Sequence, residues 1–195
     1  MTDPRRVRLL ALLMPVIVAA LALLAWSQVW VTTELADGRS LAVAGDAAAP
    51  AIPPFALASL ALVGALTLSG VIFRVVLGLL QALLGVGIIA SGSLALIDPI
   101  SAAAAPLTEA TGVSGLESVR GLVELSAVTV WPWIAVTAGA VGIVVGVAIA
   151  LTASRWPPRT RRYDAVRFSP EGGDARTERL DAWDALSDGD DPTAR

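Results

Sequence analysis

The sequence predicts an all-α integral membrane protein. It has four transmembrane helices, a small extracytoplasmic cap built on a β-hairpin, and a disordered cytoplasmic tail. Three observations lead there. Hydrophobic residues make up 55% of the 195 positions, and the mean hydropathy of +0.72 lies outside the range of ordinary soluble domains. The apolar residues fall in runs near the roughly 20 residues that cross a bilayer. The arginines cluster beside alternate ends of those runs. The net charge of -3 hides this segregation.

Residues 1–6 form a cytoplasmic N-terminus and 7–26 a first span. A cleaved leader is the rival reading, but its apolar core would be only about 7–15 residues. Pro15 sits mid-span, where lipid-embedded helices tolerate it. Residues 27–53 form a first outer loop. Within "VWVTTELADGRSLAVAG" two β-prone runs flank Asp37-Gly38, a strong hairpin signal, which places strands at 29–35 and 40–44. From 54 to 97 the chain is apolar except for Arg74. It is too long for one span and reads as two, 54–73 and 75–97, turning near Arg74 between Gly70 and Gly78. Asp98-Pro99 ends the third helix.

Residues 98–130 form a second outer loop. "DPISAAAAPLTEATG" predicts a short helix broken or restarted at Pro106, and "LVELSAVTV" offers a third strand at 122–130. A lone hairpin is marginal in water, so a third strand would support it. The cap is too small for a core independent of the membrane. Residues 131–153 form the fourth span, with Pro132 tolerated in its first turn. Residues 154–195 form a basic, then acidic, tail.

Arginine placement sets the orientation. Arg5, Arg6 and Arg8 precede the first span, Arg74 marks the hairpin turn, and Arg155, Arg159, Arg161 and Arg162 follow the fourth. With four spans these groups fall on one side. The reading is a multi-pass plasma-membrane protein with both termini cytoplasmic. Trp26, Trp30, Trp131, Trp133 and Trp156 lie at the span ends and read as interfacial anchors. The tail arginines suit anionic lipid headgroups, so the bilayer accounts for them without nucleic acid.

The chain has no Cys and no His. That removes thiol nucleophiles, imidazole bases and Cys/His metal sites. No span centre carries an ionisable residue, which argues against proton coupling by side-chain titration. Gln81 is the one strong polar group inside a span. It reads as an interhelical hydrogen bond, with a polar substrate contact as the alternative. Gly142 and Gly146 form a GxxxG, extended by Ala138 and Ala150, and Gly87, Ser91 and Ala95 form a similar stripe. Such residues let helix backbones approach closely. Packing within one chain is the first reading and a homo-oligomer the second. No catalytic, cofactor or metal site is predicted, and no cofactor.

Three stretches carry a family resemblance: "WPW" at 131–133, "SRWPPRTRRYD" at 154–164 and "WDALSDGDDPT" at 183–193. Their order and spacing resemble the tryptophan-associated transmembrane proteins, encoded in tryptophan biosynthesis gene regions. The resemblance covers nearly the whole chain and implies four spans, two outer loops and a polar tail. It carries no catalytic residues across. After the last helix the family usually reads Trp-Pro-Arg-Met, whereas this chain has Trp156-Pro157-Pro158-Arg159-Thr160.

The leading expectation is a non-enzymatic accessory or scaffold protein linked to tryptophan metabolism. The alternative is a small oligomeric exporter of tryptophan or a related metabolite. Eight acidic residues lie between Glu171 and Asp191. Among them Leu180, Trp183 and Leu186 would share one helical face. They are a candidate motif that folds on a cytoplasmic protein partner.

Overall fold

The computed structural model describes residues 4–155, with side chains from Leu9 to Ser154. The chain order is α1 (Pro4–Trp26), β1 (Val29–Leu35), β2 (Ser40–Ala44), α2 (Gly45–Ala48), α3 (Ile52–Leu68), α4 (Val71–Ile97), α5 (Pro99–Ala102), α6 (Ala104–Thr111), α7 (Leu116–Arg120), β3 (Val123–Val128), α8 (Trp131–Thr152) and a 3-10 turn at Ala153–Arg155. Arg5, Arg6 and Arg8 fall in the first turns of α1, and Arg155 closes the 3-10 turn. Trp156, Arg159, Arg161, Arg162 and the Leu180–Trp183–Leu186 motif lie outside the described residues.

Among the described residues three helices, α1, α4 and α8, are long and apolar enough to cross a membrane. The fourth apolar helix, α3, has 17 residues, or about 25 Å at 1.5 Å per residue. The four pack in a ring, α1 on α3, α3 on α4, α4 on α8 and α8 back on α1. Their outward faces are apolar: Leu83 is 64% exposed and Val144 68%. In water such a surface would be an aggregation liability. Facing lipid tails it costs nothing.

The two central helices meet earlier than the sequence suggested. Helix α3 stops at Leu68, and Ser69 and Gly70 are both extended before α4 begins. Arg74 is therefore not in the turn. Its N–H donates to the Gly70 carbonyl, and the residue is buried in the first turns of α4. The expected 54–73 span is shorter at its far end and starts two residues sooner, with Pro53 and Pro54 in the first turn of α3. There the missing N–H groups would have had no helical partner.

The cap is built on a three-stranded antiparallel sheet of order β2-β1-β3. The Asp-Gly turn joins β1 to β2, with Gly38 at φ 82 supplying the left-handed residue. The Gly38 N–H donates to the Leu35 carbonyl at 2.8 Å and that of Leu35 to the Arg39 carbonyl at 2.9 Å. The third strand covers Val123–Val128, inside the run that suggested it.

The loop helix expected to break or restart at Pro106 restarts two residues before it. Helix α5 ends at Ala102 and α6 begins at Ala104, so Pro106 sits in the first turn of α6, where its ring breaks no helical bond. Asp98 caps α5 by accepting from the Ser101 N–H at 3.0 Å, and its other oxygen pairs with Arg120 of α7. This ties the loop ends together. The cap core of Trp30, Val31, Leu35, Val43 and Leu107 runs without a break into Ala22, Ala25, Ile52 and Ile88 of the bundle. The cap borrows its core from the helices beneath it.

Candidate functional site

Among the described residues, helices α4 and α8 approach each other at backbone contact. Three glycines seven residues apart, Gly78, Gly85 and Gly92, face α8 in antiparallel register. A methyl placed on Gly78 would lie 2.7 Å from the Gly146 carbonyl oxygen, and one on Gly85 would lie 2.6 Å from that of Gly139. The relation is reciprocal: a methyl on Gly139 would lie 2.8 Å from the Gly85 oxygen, and one on Gly146 2.5 Å from the Gly78 oxygen. Such approach of Cα to carbonyl is where weak Cα–H···O contacts recur between helices. The seam needs glycine because backbone meets backbone. Gly142 and Gly146 therefore pack inside the chain, against α4. Gly87 turns another face of α4 toward α3, where a methyl would strike the Phe55 ring.

Gln81 sits at this seam. It is 0% exposed. A methyl on Gly142 would lie 3.5 Å from its Nε2 and 3.3 Å from Val18 of α1, so the amide lies where α1, α4 and α8 converge. Among the described residues neither Nε2 nor Oε1 has a hydrogen-bond partner, and the same holds for Ser59 Oγ on α3. Both groups lie near the middle of their helices. The interhelical bond expected of Gln81 is not formed. A buried amide without a partner is costly and is a common mark of a functional position.

Along the α1/α8 seam two apolar grooves open outward. One, about 190 Å³, lies between Leu10, Met14, Val145 and Ile149. The other, about 220 Å³, lies between Ile17, Leu21, Trp133 and Thr137. Their walls offer shape but almost no hydrogen-bonding chemistry.

The tryptophans divide. Trp133 is 60% exposed at the start of α8, as an interfacial anchor should be, and Trp26 and Trp131 are half-buried. Trp30 is fully buried, and its Nε1–H donates to the Ala25 carbonyl at 2.6 Å. It presents no surface to headgroups and instead locks the cap to the end of α1. Its place inside the predicted 29–35 strand was the signal for burial. Replacing Trp30 with phenylalanine should lower stability by about 1 kcal/mol through the lost hydrogen bond. Thermal unfolding in detergent measures this.

Among the described residues, charge is concentrated in the cap. Arg39 pairs with Asp37 at 2.6 Å, and Arg120 pairs with Asp98 and Glu117. The Arg39 backbone N–H and then its guanidinium hold the Asp37 carboxyl below its ordinary value. A carboxyl with a lowered pKa stabilises its surroundings above the ordinary value and loses that effect as pH falls through the lowered one. The Asp37 midpoint, followed by carboxyl NMR, should lie below 3.8, and the Arg39 amide signal should move with it. A midpoint at or above 3.8 contradicts the pairing. Among the described residues there is no group of three metal-ligating side chains.

No curated protein and no solved structure matches the chain. The model of one family does, the tryptophan-associated transmembrane proteins, over residues 9–193. That match takes in both glycine-bearing helices, the cap and all but the ends of the sequence. The chain belongs to the tryptophan-associated transmembrane protein family.

Proposed function

We propose that the protein is a non-enzymatic, multi-pass membrane protein that supports a partner system connected with tryptophan. The observation that carries this reading is the α4/α8 seam. The helices meet at backbone contact through Gly78, Gly85, Gly139 and Gly146, so a polar solute has no room to pass between them. The grooves at membrane depth are shallow and apolar. A rigid bundle carrying a polar cap and a charged tail suits a support role better than a conduit.

In this reading α3 is the fourth span. Its 17 residues sit at the short end of the roughly 17–25 that cross a bilayer. The short α3–α4 link and both termini then share the cytoplasmic side of the plasma membrane, and the cap faces outward. The tail motif Leu180, Trp183 and Leu186 docks a cytoplasmic protein. Affinity purification in mild detergent should recover a stoichiometric partner that is lost when Trp183 and Leu186 become alanine. Recovery of no partner, with or without those changes, counts against the reading.

A second reading, a small oligomeric exporter of tryptophan or a related metabolite, draws on Gln81, whose buried amide could receive a polar solute in another conformation. Efflux of labelled tryptophan from a deletion strain separates the two. Efflux equal to the parent strain's removes the exporter.

A further inference from the structure

The cap holds a pocket of about 340 Å³ between the β1–β2 turn and the C-terminal end of α6. Leu35, Val113 and Leu122 form its apolar wall, with Asp37 and Arg39 at the rim and Thr111 at the helix end. We propose that this pocket binds a zwitterionic α-amino acid with an apolar side chain. The inference does not depend on the accessory role proposed above.

Size limits the ligand first. Small-molecule pockets run from about 300 to 1,000 Å³, so this one suits an amino acid and not a nucleotide. Charge limits it further. Asp37 and Arg39 form a neutral pair, in which a simple anion or cation would meet one favourable and one unfavourable group. A zwitterion can meet both favourably.

The pair is also held in place. Asp37 Oδ1 accepts the Arg39 backbone N–H at 3.0 Å and Oδ2 accepts its Nε–H at 2.6 Å. Those bonds fix the guanidinium plane, and the Arg39 terminal amino groups make no other described hydrogen bond. They form a fork suited to a carboxylate. The remaining lone pairs of Asp37 can accept from an ammonium group. The C-terminal end of α6 adds partial negative charge on the same side.

Thr111 shapes the pocket without reaching into it. Its Oγ1 donates to the Leu107 carbonyl at 2.7 Å and accepts from the Val113 N–H at 3.3 Å. The apolar wall then receives the ligand's side chain. Exposed ion pairs contribute little to folding, so loss of this one should weaken binding far more than stability.

Equilibrium dialysis of labelled L-leucine and L-tryptophan against the full chain in lipid nanodiscs tests the proposal. One saturable site per chain is expected. N-acetyl-L-leucine lacks the ammonium group and L-leucinamide the carboxylate, and each should bind at least about tenfold more weakly. Arg39→Gln should weaken L-leucine by a similar factor. Val113→Trp should fill the pocket and block binding while the hairpin keeps its ion pair. The proposal is overturned by any of three results: no saturable binding up to about 1 mM, equal binding of the two blocked analogues, or unchanged affinity in the variants. If Arg39→Gln disrupts the cap, judged by circular dichroism, Val113→Trp decides alone.

Discussion

Replacing Gly146 with leucine is expected to destabilise the bundle by about 3 kcal/mol or more and to leave little folded protein. Overpacking usually costs about 1–3 kcal/mol, because side chains can shift to make room. Here the obstacles are backbone. A methyl at this position would already lie 2.5 Å from the Gly78 carbonyl oxygen and against the Ala82 N–H. Helices α4 and α8 would have to separate, taking Gly85 and Gly139 out of contact as well. Gly64 on α3 is the control, since a methyl there meets nothing within 4 Å. Gly64→Leu adds an apolar side chain to an exposed helix face and should be neutral within about 0.5 kcal/mol. Reversible unfolding of both variants in detergent measures the difference. Equal stabilities would mean that α4 and α8 do not meet as described.

Gln81→Leu is expected to act in the other direction, raising stability by about 1–3 kcal/mol. The amide is fully buried and neither of its polar atoms has a partner among the described residues. Leucine has a similar volume and removes the cost of keeping those atoms out of water. Ser59→Ala, on the neighbouring helix α3, should have a smaller effect of the same sign. Such a group in a bundle core made mostly of Ala, Val, Leu, Ile and Gly points to a use other than folding. A fall in stability on Gln81→Leu would show instead that the amide is satisfied and structural. The same variant examined for tryptophan efflux distinguishes a stabilising change without consequence from one that abolishes transport.

Much of this architecture is legible in the sequence, and the exceptions have physical causes. The hairpin is local: Asp37-Gly38 between alternating runs determines both strands, and the structure places them at Val29–Leu35 and Ser40–Ala44. Helices α1, α4 and α8 are marked by length and hydropathy alone. The α3–α4 break was harder. Ser69-Gly70 is a weak stop inside an apolar run, and Arg74 drew attention because a charge normally marks a surface. Burial of Arg74 in a helix end depends on neighbours that no local pattern reveals. Pro106 marks the restart only to within a turn, since a proline is tolerated anywhere in the first turn of a helix.

The glycine seam is the larger omission. Gly142 and Gly146 were visible as a GxxxG, but their partners Gly78 and Gly85 and the neighbouring Gly139 were not. A spacing of seven on one helix acquires meaning only when the antiparallel register of the other is known. The candidate sites divide in the same way. Gln81 stands out in sequence as a polar residue in a span, but its missing partner is a property of three helices. The Asp37–Arg39 pair reads as an ordinary solvated turn until α6 and Leu122 close a pocket beside it.

In the proposed topology four helices cross the bilayer, with the cap on one side and the α3–α4 link and both termini on the other. The chain has no cysteine, so single cysteines can be introduced and labelled without background. Thr2→Cys, Gly70→Cys, Ser114→Cys and Thr193→Cys place one thiol at each position to be assigned. A membrane-impermeant maleimide applied to intact cells should label Ser114→Cys alone. The other three should react only after permeabilisation. Labelling of Gly70→Cys together with Ser114→Cys, or of Thr193→Cys from outside, would contradict this topology.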